Sequence, residues 1–203
     1  MTKKGFIAIS MAFTVLEMCA CSDNNSGIEP TSEKAMVVTK ENPADVAVEA
    51  KVVSYDSLED MEKSADVIAV VKKGDILDTI VLHDKGEVYS GYTFSQVEIV
   101  NGYKTEEGMG AGTTLRVLEN EFYDETTNTV YHISGYNMMV KDHEYLLFLD
   151  EKTYSDGEKY YVPLGVNFGA IPLADEDYNM AEKSIDYFNY LSPIWSEAKE
   201  KYQ

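Results

Sequence analysis

Apolar and polar residues alternate where the main part of the chain begins, and this alternation predicts a first strand. Its apolar face consists of Val46, Val48, Ala50 and Val52, with charged residues between them. A period of two is typical of a half-buried strand. Ser57-Leu58-Glu59-Asp60 then has the layout of a capped helix N-terminus, which predicts a short helix ending near Ser64.

Short apolar or alternating runs follow along the rest of the chain, each flanked by Gly, Asp, Asn or Lys. They are Val67–Val71, Ile76–Leu82, Val88–Val100, Thr113–Leu118, Thr129–Ser134, Glu144–Leu149 and Lys159–Leu164. The first of them is unbroken and suits a buried strand. Many short strands with turns between them predict a mainly β domain, either a barrel or a sandwich.

The C-terminal region has helical rather than strand periodicity. An apolar stripe with steps of three and four residues consists of Tyr178, Ala181, Ile185, Phe188 and Leu191. This spacing predicts an amphipathic helix. Because proline disrupts a helix interior, we expect Pro193 to break or kink it and Trp195–Tyr202 to form a final short helix.

The N-terminus has the layout of a secretory signal peptide: Lys3 and Lys4, then the apolar run Phe6–Leu16, then Ala20 before Cys21. Met18-Cys19-Ala20-Cys21 resembles the lipobox of bacterial lipoproteins. This resemblance implies cleavage before Cys21 and a diacylglyceryl group on its thiol. Cys19 is the weaker candidate, because bulky Met18 precedes it. Plain secretion and an uncleaved anchor are the alternatives.

The expected organisation follows from this N-terminus. Residues 1–20 form the signal peptide, and residues 21–43, with the lipidated Cys21, form a flexible tether rich in polar residues. A single domain occupies residues 44–203. An extra strand around Met36–Thr39 is the alternative for the tether. Both cysteines lie in the signal region, so the domain has no disulfide and must be stabilised by its core.

The net charge argues against two classes of direct partner. The chain has 36 acidic residues against 17 Lys and Arg, and its formal net charge is -19. Nucleic acids and anionic lipid headgroups would be repelled by such a surface. We therefore expect no nucleic-acid partner, and membrane association through the lipid alone.

Three segments together carry a family resemblance: Ser64–Val71, Phe94–Gly102 and His143–Leu149. They resemble a group of Gram-positive surface lipoproteins. Their order is also similar to netrin-like modules and tissue inhibitors of metalloproteinases. This resemblance implies an OB-type, netrin-like antiparallel β-barrel with a short helix after the first strand and a C-terminal amphipathic helix. Asn101-Gly102 departs from the Lys-Gly that the lipoprotein group prefers, and Asp142-His143 stands where a Gly is expected.

The inhibitory machinery of the metalloproteinase inhibitors is not carried over with the fold. In that family, an N-terminal Cys with a free amine binds the protease zinc and is fixed by disulfides. Here the equivalent candidate, Cys21, would be lipidated and has no disulfide partner. The resemblance therefore implies the barrel, and protease inhibition stays an alternative function that rests on fold analogy.

Catalytic and metal-binding patterns are weak. No cysteine remains in the domain as a nucleophile, and no Gly-x-Ser-x-Gly motif occurs. His83, His132 and His143 are far apart, and we expect no shared zinc site. Asp175–Asn179 and Asp186 have a calcium-loop spacing, but Met180 replaces the required Gly, and helix capping is favoured. No catalytic residue, metal or cofactor is predicted.

Tyrosine is the most unusual feature of the composition, with 15 residues. Four of them on or near predicted strands are the candidate ligand-binding residues: Tyr89, Tyr92, Tyr131 and Tyr136. Tyrosine offers a rigid ring with a polar tip, which suits peptide or sugar recognition. It is also a favoured strand residue, which is the alternative explanation.

Together these patterns predict a lipid-anchored binding or accessory protein without catalytic activity. We expect it on the outer face of the cell membrane, held through the diacylglyceryl anchor, with a protein or wall polymer as its partner. A metal-assisted envelope hydrolase and an extracellular protease inhibitor are the alternatives.

Overall fold

A computed structural model describes residues 42–174 and 185–203. The predicted signal peptide, Cys21 and the tether up to residue 41 lie outside the described residues. The acidic cluster Asp175–Asn179 and the beginning of the C-terminal apolar stripe lie outside them as well. The predictions for these segments therefore stay predictions.

Nine strands and two helices follow one another in the described ranges. The strands are β1 (Ala44–Val48), β2 (Val67–Asp84), β3 (Glu87–Lys104), β4 (Thr114–Glu119), β5 (Glu121–Asp124), β6 (Thr129–Ile133), β7 (Glu144–Thr153), β8 (Lys159–Pro163) and β9 (Ala170–Pro172). Helix α1 (Leu58–Ser64) follows β1, and helix α2 (Ile185–Tyr202) lies near the C-terminus. The mainly β class, the helix after the first strand and the C-terminal helix are confirmed.

Five strands pair in a closed order that we call the ring: β2, β3, β4, β8, β7 and back to β2. β9 adds to the side of β7. β2 and β3 are the longest strands, with 18 residues each, and form one hairpin through Lys85-Gly86. Both turn residues have positive φ, 52° and 87°, which matches the two-residue turn that suits twisted hairpins.

The ring departs from the predicted antiparallel barrel in one pairing, and a second parallel pairing lies outside the ring. β4 and β8 meet in parallel through Val117 and Tyr161, and β1 pairs with β6 in parallel. The first departure has a simple cause, because a closed ring with an odd number of strands cannot alternate direction at every junction. The hairpin β7–β8 brings β8 back in the same direction as β4.

The strands of the ring separate two apolar clusters. The cluster inside the ring includes Val67, Ala69, Val71, Val97, Ile99, Leu115, Val117, Leu147 and Leu149. The cluster between the outer side of β2 and β7 and the two helices includes Leu58, Met61, Ile68, Val70, Leu146, Phe148, Leu191, Ile194 and Trp195. Alternate residues of β2 and β7 thus pack in opposite clusters, and both faces of these strands are buried where the clusters lie.

Helix α1 begins where its capping pattern predicts. The Oγ atom of Ser57 accepts a hydrogen bond from the backbone N–H of Asp60, at 3.2 Å. This bond satisfies one of the backbone donors that a helix N-terminus leaves unpaired. Leu58 and Met61 are buried against the outer cluster, which fixes the helix on β7 and β2.

Of the two expectations for Pro193, the break is wrong, because α2 continues through it to Tyr202, and the kink stays a prediction. Proline removes one backbone hydrogen bond from the helix interior. The residues around it, Leu191, Ile194 and Trp195, are nevertheless buried in the outer cluster, and this packing holds the helical path. Among the described residues, no helix is long and apolar enough to cross a bilayer.

A second, smaller sheet has the order β1–β6–β5. β1 ends at Val48, so the alternation that predicts a strand up to Val52 overestimates its length, and most of β1 is exposed. β5 brings Phe122 onto the β2–β3 hairpin at Gly91. Tyr131 of β6, the cross-strand partner of Phe122, stacks on its ring with centroids 5.0 Å apart. Phe122 is therefore clamped between the two sheets.

This clamp predicts that Gly91→Ala destabilises the protein. A Cβ at residue 91 would stand 2.6 Å from the Phe122 ring, and moving this ring away would disturb its stacking on Tyr131. We expect a loss of about 1–3 kcal/mol in the free energy of unfolding, measured by urea titration. Gly110→Ala is the control, since a Cβ there meets nothing within 4 Å. Equal stability of the two variants would show that Phe122 is free to move.

Candidate functional site

The four candidate tyrosines occupy different environments. Tyr89 on β3 is 78% exposed. Tyr92, on the same strand, packs edge-to-face on Phe94 at a centroid distance of 5.3 Å. Tyr131 stacks on Phe122. Tyr136 is only 2% exposed and belongs to the cluster inside the ring, so its ring is not presented to solvent. Ligand contacts by the other three stay a prediction.

An aromatic patch lies on the outer side of the ring, opposite the interior cluster. It consists of Tyr92, Phe94, Arg116, Tyr154 and Tyr160. Phe94 is its centre, with Tyr160 at 5.5 Å and Tyr154 at 6.2 Å, both edge-to-face. Tyr154 and Tyr160 lie 4.5 Å apart in a tilted arrangement. The partly exposed tyrosines therefore surround one buried phenylalanine.

Strand alternation and pairing assemble this patch. Tyr92 and Phe94 are two residues apart on β3 and therefore share its outer face. Phe94 pairs with Leu118 of β4, and Arg116, two residues earlier, reaches back over the Phe94 ring. Its Cζ atom lies 4.0 Å from the ring centroid, a cation–π contact.

Arg116 is the polar element of the aromatic patch. Its Nη2 atom lies 3.8 Å from Oδ2 of Asp78, and its Nε has no hydrogen-bond partner among the described residues. Burial raises the pKa of the Tyr154 hydroxyl, while nearby Arg116 acts in the opposite direction. The patch thus combines ring faces and edges for stacking with a guanidinium whose Nε is buried and whose side chain is 33% exposed.

A buried polar cluster inside the ring was missed from the sequence. Lys73 of β2 and Glu119 of β4 form an ion pair with 3.1 Å between Nζ and Oε1, and their side chains are 2% and 0% exposed. Lys73 also donates to Ser95 Oγ at 2.6 Å. Glu119 Oε2 accepts from the Tyr136 hydroxyl at 3.0 Å and from the Met139 N–H at 2.7 Å.

This cluster brings a lysine and a serine together, but the arrangement does not suit nucleophilic catalysis. A base must accept the serine proton, whereas Lys73 donates to Ser95 and faces the carboxylate of Glu119. Ser95 is also fully buried, so a substrate has no access to it. Burial and the nearby Glu119 raise the pKa of Tyr136 well above its ordinary value. The cluster acts as a structural element.

The three histidines lie on separate elements. His83 is 3.3 Å from Asp124, and His132 is held between Asp45 at 2.8 Å and Glu121 at 3.1 Å. His143 precedes β7, where its carbonyl accepts from the backbone of Lys73. In residues 42–174 and 185–203, no group of three or more His, Cys, Asp or Glu side chains is placed to hold a metal ion.

The environment of His132 predicts an alkaline loss of stability. Hydrogen bonding to Glu121 and to Asp45 raises its pKa to about 9, against the opposing effect of burial. A raised folded-state pKa stabilises the protein fully below the unfolded-state pKa, 6.5, and this stabilisation is lost as the pH rises through about 9. We expect His132→Gln to lower the free energy of unfolding by about 2 kcal/mol at pH 6, and by much less at pH 10.

Urea titrations of the wild type and His132→Gln at several pH values test this expectation. His143→Gln is the control, since it leaves the contacts of His132 with Asp45 and Glu121 in place and should keep the pH dependence of the wild type. A constant difference between the wild type and His132→Gln from pH 6 to pH 10 would show that folding does not raise the pKa of His132.

Comparisons with known proteins add no relative: neither the protein-family models nor the curated proteins include a match to this chain.

Proposed function

We propose that this protein is a lipid-anchored binding or accessory protein of the cell envelope, without catalytic activity of its own. It is anchored to the outer face of the cell membrane through Cys21, and it binds a protein or a wall polymer. The aromatic patch is the single observation that carries the binding role. Partly exposed tyrosines with a fixed arginine suit recognition by stacking and hydrogen bonding.

We also propose that the ring is an OB-type barrel of the netrin-like kind. The pairing of the ring strands supports this, because the first three strands pair in sequence and the last two close the circle in exchanged order. OB-type barrels bind ligands on the outer face of their second and third strands and on the loops beside it. In this chain those strands are β3 and β4, which carry Tyr92, Phe94 and Arg116 of the aromatic patch.

The ligand chemistry follows from the aromatic patch and the total charge. Sugar rings and aromatic or aliphatic side chains stack well on tyrosine, and Arg116 supplies hydrogen-bond donors. The net charge of -19 disfavours nucleic acids, the other common ligands of OB-type barrels. Wall saccharides and protein surfaces that expose aromatic or apolar groups are therefore the proposed partners.

In-cell crosslinking of the tagged full chain, followed by mass spectrometry, tests this function. We expect a small set of partners for the wild type. Cys21→Ser should move the protein from the membrane fraction to the medium and lose these partners, because two acyl chains bind a membrane stably and the thiol is their attachment site. Retention of Cys21→Ser in the membrane fraction would refute the lipid anchor.

A second variant separates the binding surface from the anchor. Tyr92→Ala combined with Tyr160→Ala removes two rings of the aromatic patch and should reduce partner recovery about tenfold while the protein stays membrane-bound. Val100→Ala is the control, an exposed residue further along β3. Unchanged partner recovery with the double variant would exclude the aromatic patch as the binding surface.

A further inference from the structure

Strand β2 has neighbours on both sides only over its first part. β7 pairs with it from Val67 to Lys72, and backbone hydrogen bonds at Lys73 complete this contact. From Ile76 to Asp84, β2 pairs with β3 on one side. In the pairings of the described residues, no strand covers its other edge. About nine residues at roughly 3.3 Å each leave an open edge about 30 Å long.

A groove lies at the beginning of this open edge. Its volume is about 570 Å³, and its lining residues are Lys73, Gly74, Asp75, Ile76, Met138, Met139 and Lys141. The register of β2 against β3 shifts between Lys73 and Ile76, which pushes Gly74 and Asp75 out of regular pairing. This bulge separates the open edge from the segment that contains the two methionines.

Two backbone hydrogen bonds hold the wall of the groove that contains Met138 and Met139. Met138 N–H donates to Glu121 at 2.8 Å, and Met139 N–H donates to Glu119 at 2.7 Å. At the rim, Lys141 and Asp75 form an ion pair at 2.6 Å. The groove is therefore formed before any ligand arrives. Its apolar lining of Ile and Met suits one or two side chains of varied shape.

The open edge lacks lysine, proline and, among the described strands, a covering strand as protection against added strands, although its register shifts between Ile76 and Asp78 and between Leu82 and His83. Natural sheet edges carry lysine or proline, or are covered. Ile76–Asp84 has neither lysine nor proline. It exposes apolar side chains instead: Ile76 is 55% exposed and Leu82 is 48% exposed. An extended segment could therefore add to it through backbone hydrogen bonds, with side chains on one face near Ile76 and side chains on the other face near Leu82.

Charge decides between the possible occupants. Two copies of this chain, each with a net charge of -19, would repel one another when paired edge to edge. The open edge itself contributes Asp84 and also Asp78, whose carboxylate lies 3.8 Å from Arg116. The lysines that border the groove face carboxylates: Lys73 faces Glu119 and Lys141 faces Asp75. A partner segment with Lys or Arg complements this charge distribution.

We infer that the β2 edge from Ile76 to Asp84, with the groove at its beginning, binds an extended basic segment of a partner protein as an added strand. Apolar side chains at alternate positions of this segment contact Ile76 and the methionine wall. Lys or Arg side chains between them approach Asp78 and Asp84. This site does not use Cys21, and it meets the aromatic patch only at Asp78, whose Oδ2 lies 3.8 Å from Nη2 of Arg116.

Fluorescence anisotropy with a labelled nine-residue peptide of alternating Lys and Val tests the inference on the full chain in an uncharged detergent. A peptide with an N-methyl group at every residue keeps the charge but has no backbone N–H to donate, so it cannot pair as a strand. A Glu-Val peptide keeps the pairing but reverses the charge. We expect the Lys-Val peptide to bind at least about tenfold more tightly than either comparison peptide.

Variants locate the site. Ile76→Lys combined with Leu82→Lys adds charge to the open edge and should weaken the Lys-Val peptide about tenfold. Val100→Lys combined with Val53→Lys adds the same two charges at exposed positions outside Ile76–Asp84, and this control should bind like the wild type. Equal binding of the N-methylated peptide, equal binding of the Glu-Val peptide or no binding at all would overturn the inference.

Sedimentation of the same samples examines the other occupant. A dimer that Leu82→Lys dissociates would assign the open edge to a second copy and overturn the inference. Membrane fractionation of Cys21→Ser and partner recovery with the aromatic-patch variant remain independent of all these outcomes, so the proposed function and this inference can fail separately.

Discussion

Replacing Glu119 with leucine should lower the free energy of unfolding by about 3–5 kcal/mol, because it leaves the ammonium of Lys73 buried without a counter-charge. Glu119 also accepts from the Tyr136 hydroxyl and the Met139 N–H, which would lose their acceptor as well. A typical domain has only about 5–15 kcal/mol of total stability, so this loss is a large share of it. Urea titration followed by circular dichroism measures the effect.

Two further variants separate charge from packing. Lys73→Met leaves Glu119 with its two neutral donors, Tyr136 and Met139, and should be less damaging than Glu119→Leu. The double variant Lys73→Met with Glu119→Leu should be more stable than Glu119→Leu alone, since no unpaired charge remains. If the losses of the two single variants simply add, Lys73 and Glu119 are not coupled, and the buried ion pair is refuted.

The alternation along the strands indicates in part that Lys73 and Glu119 are buried. Val67, Ala69, Val71 and Lys73 alternate along β2, so the same period that buries the valines also directs Lys73 into the ring. On β4, the alternation of Leu115, Val117 and Glu119 directs Glu119 into the ring. What alternation cannot reveal is that β3 lies between these two strands. That arrangement is a non-local property of the ring.

Local signals predicted the elements that depend on neighbouring residues. The cap at Ser57 gave the start of α1, and the apolar run Val67–Val71 gave a buried strand. The same signals failed where tertiary packing decides. Polar residues after Val71 suggested a turn, but the structure has a bulge there within one long strand. The short strand Ala170–Pro172 is too small to leave a pattern.

The aromatic patch was predictable only in part. Tyr92 was singled out among the candidates, but Tyr136, chosen for the same reason, is buried. Which tyrosines meet depends on how β3, β4 and β8 pair. Phe94 and Arg116 were not candidates, because an apolar residue and a lone arginine on separate strands give no motif. Their contact arises from register alone.

Replacing Trp195 with alanine should destabilise the protein by about 3–5 kcal/mol, which makes it the second large effect. Trp195 is 3% exposed in the outer cluster, its Nε1 donates to the Phe168 carbonyl at 3.3 Å, and Phe188 packs edge-to-face on its ring. The substitution would leave a cavity between α2 and the ring. It would also remove the hydrogen bond from the indole N–H to the Phe168 carbonyl.

Differential scanning calorimetry with Glu197→Ala as the control tests this expectation. Glu197 is exposed on the same helix, so its substitution should change the free energy of unfolding by no more than about 0.5 kcal/mol. Trp195 follows Pro193 by two residues, and its burial is one of the contacts that carry α2 past the missing backbone hydrogen bond. Trp195→Ala should therefore also reduce the helical signal in far-ultraviolet circular dichroism, because the last turns of α2 depend on it. Wild-type stability together with an unchanged helical signal would mean that α2 does not need the outer cluster to continue beyond Pro193.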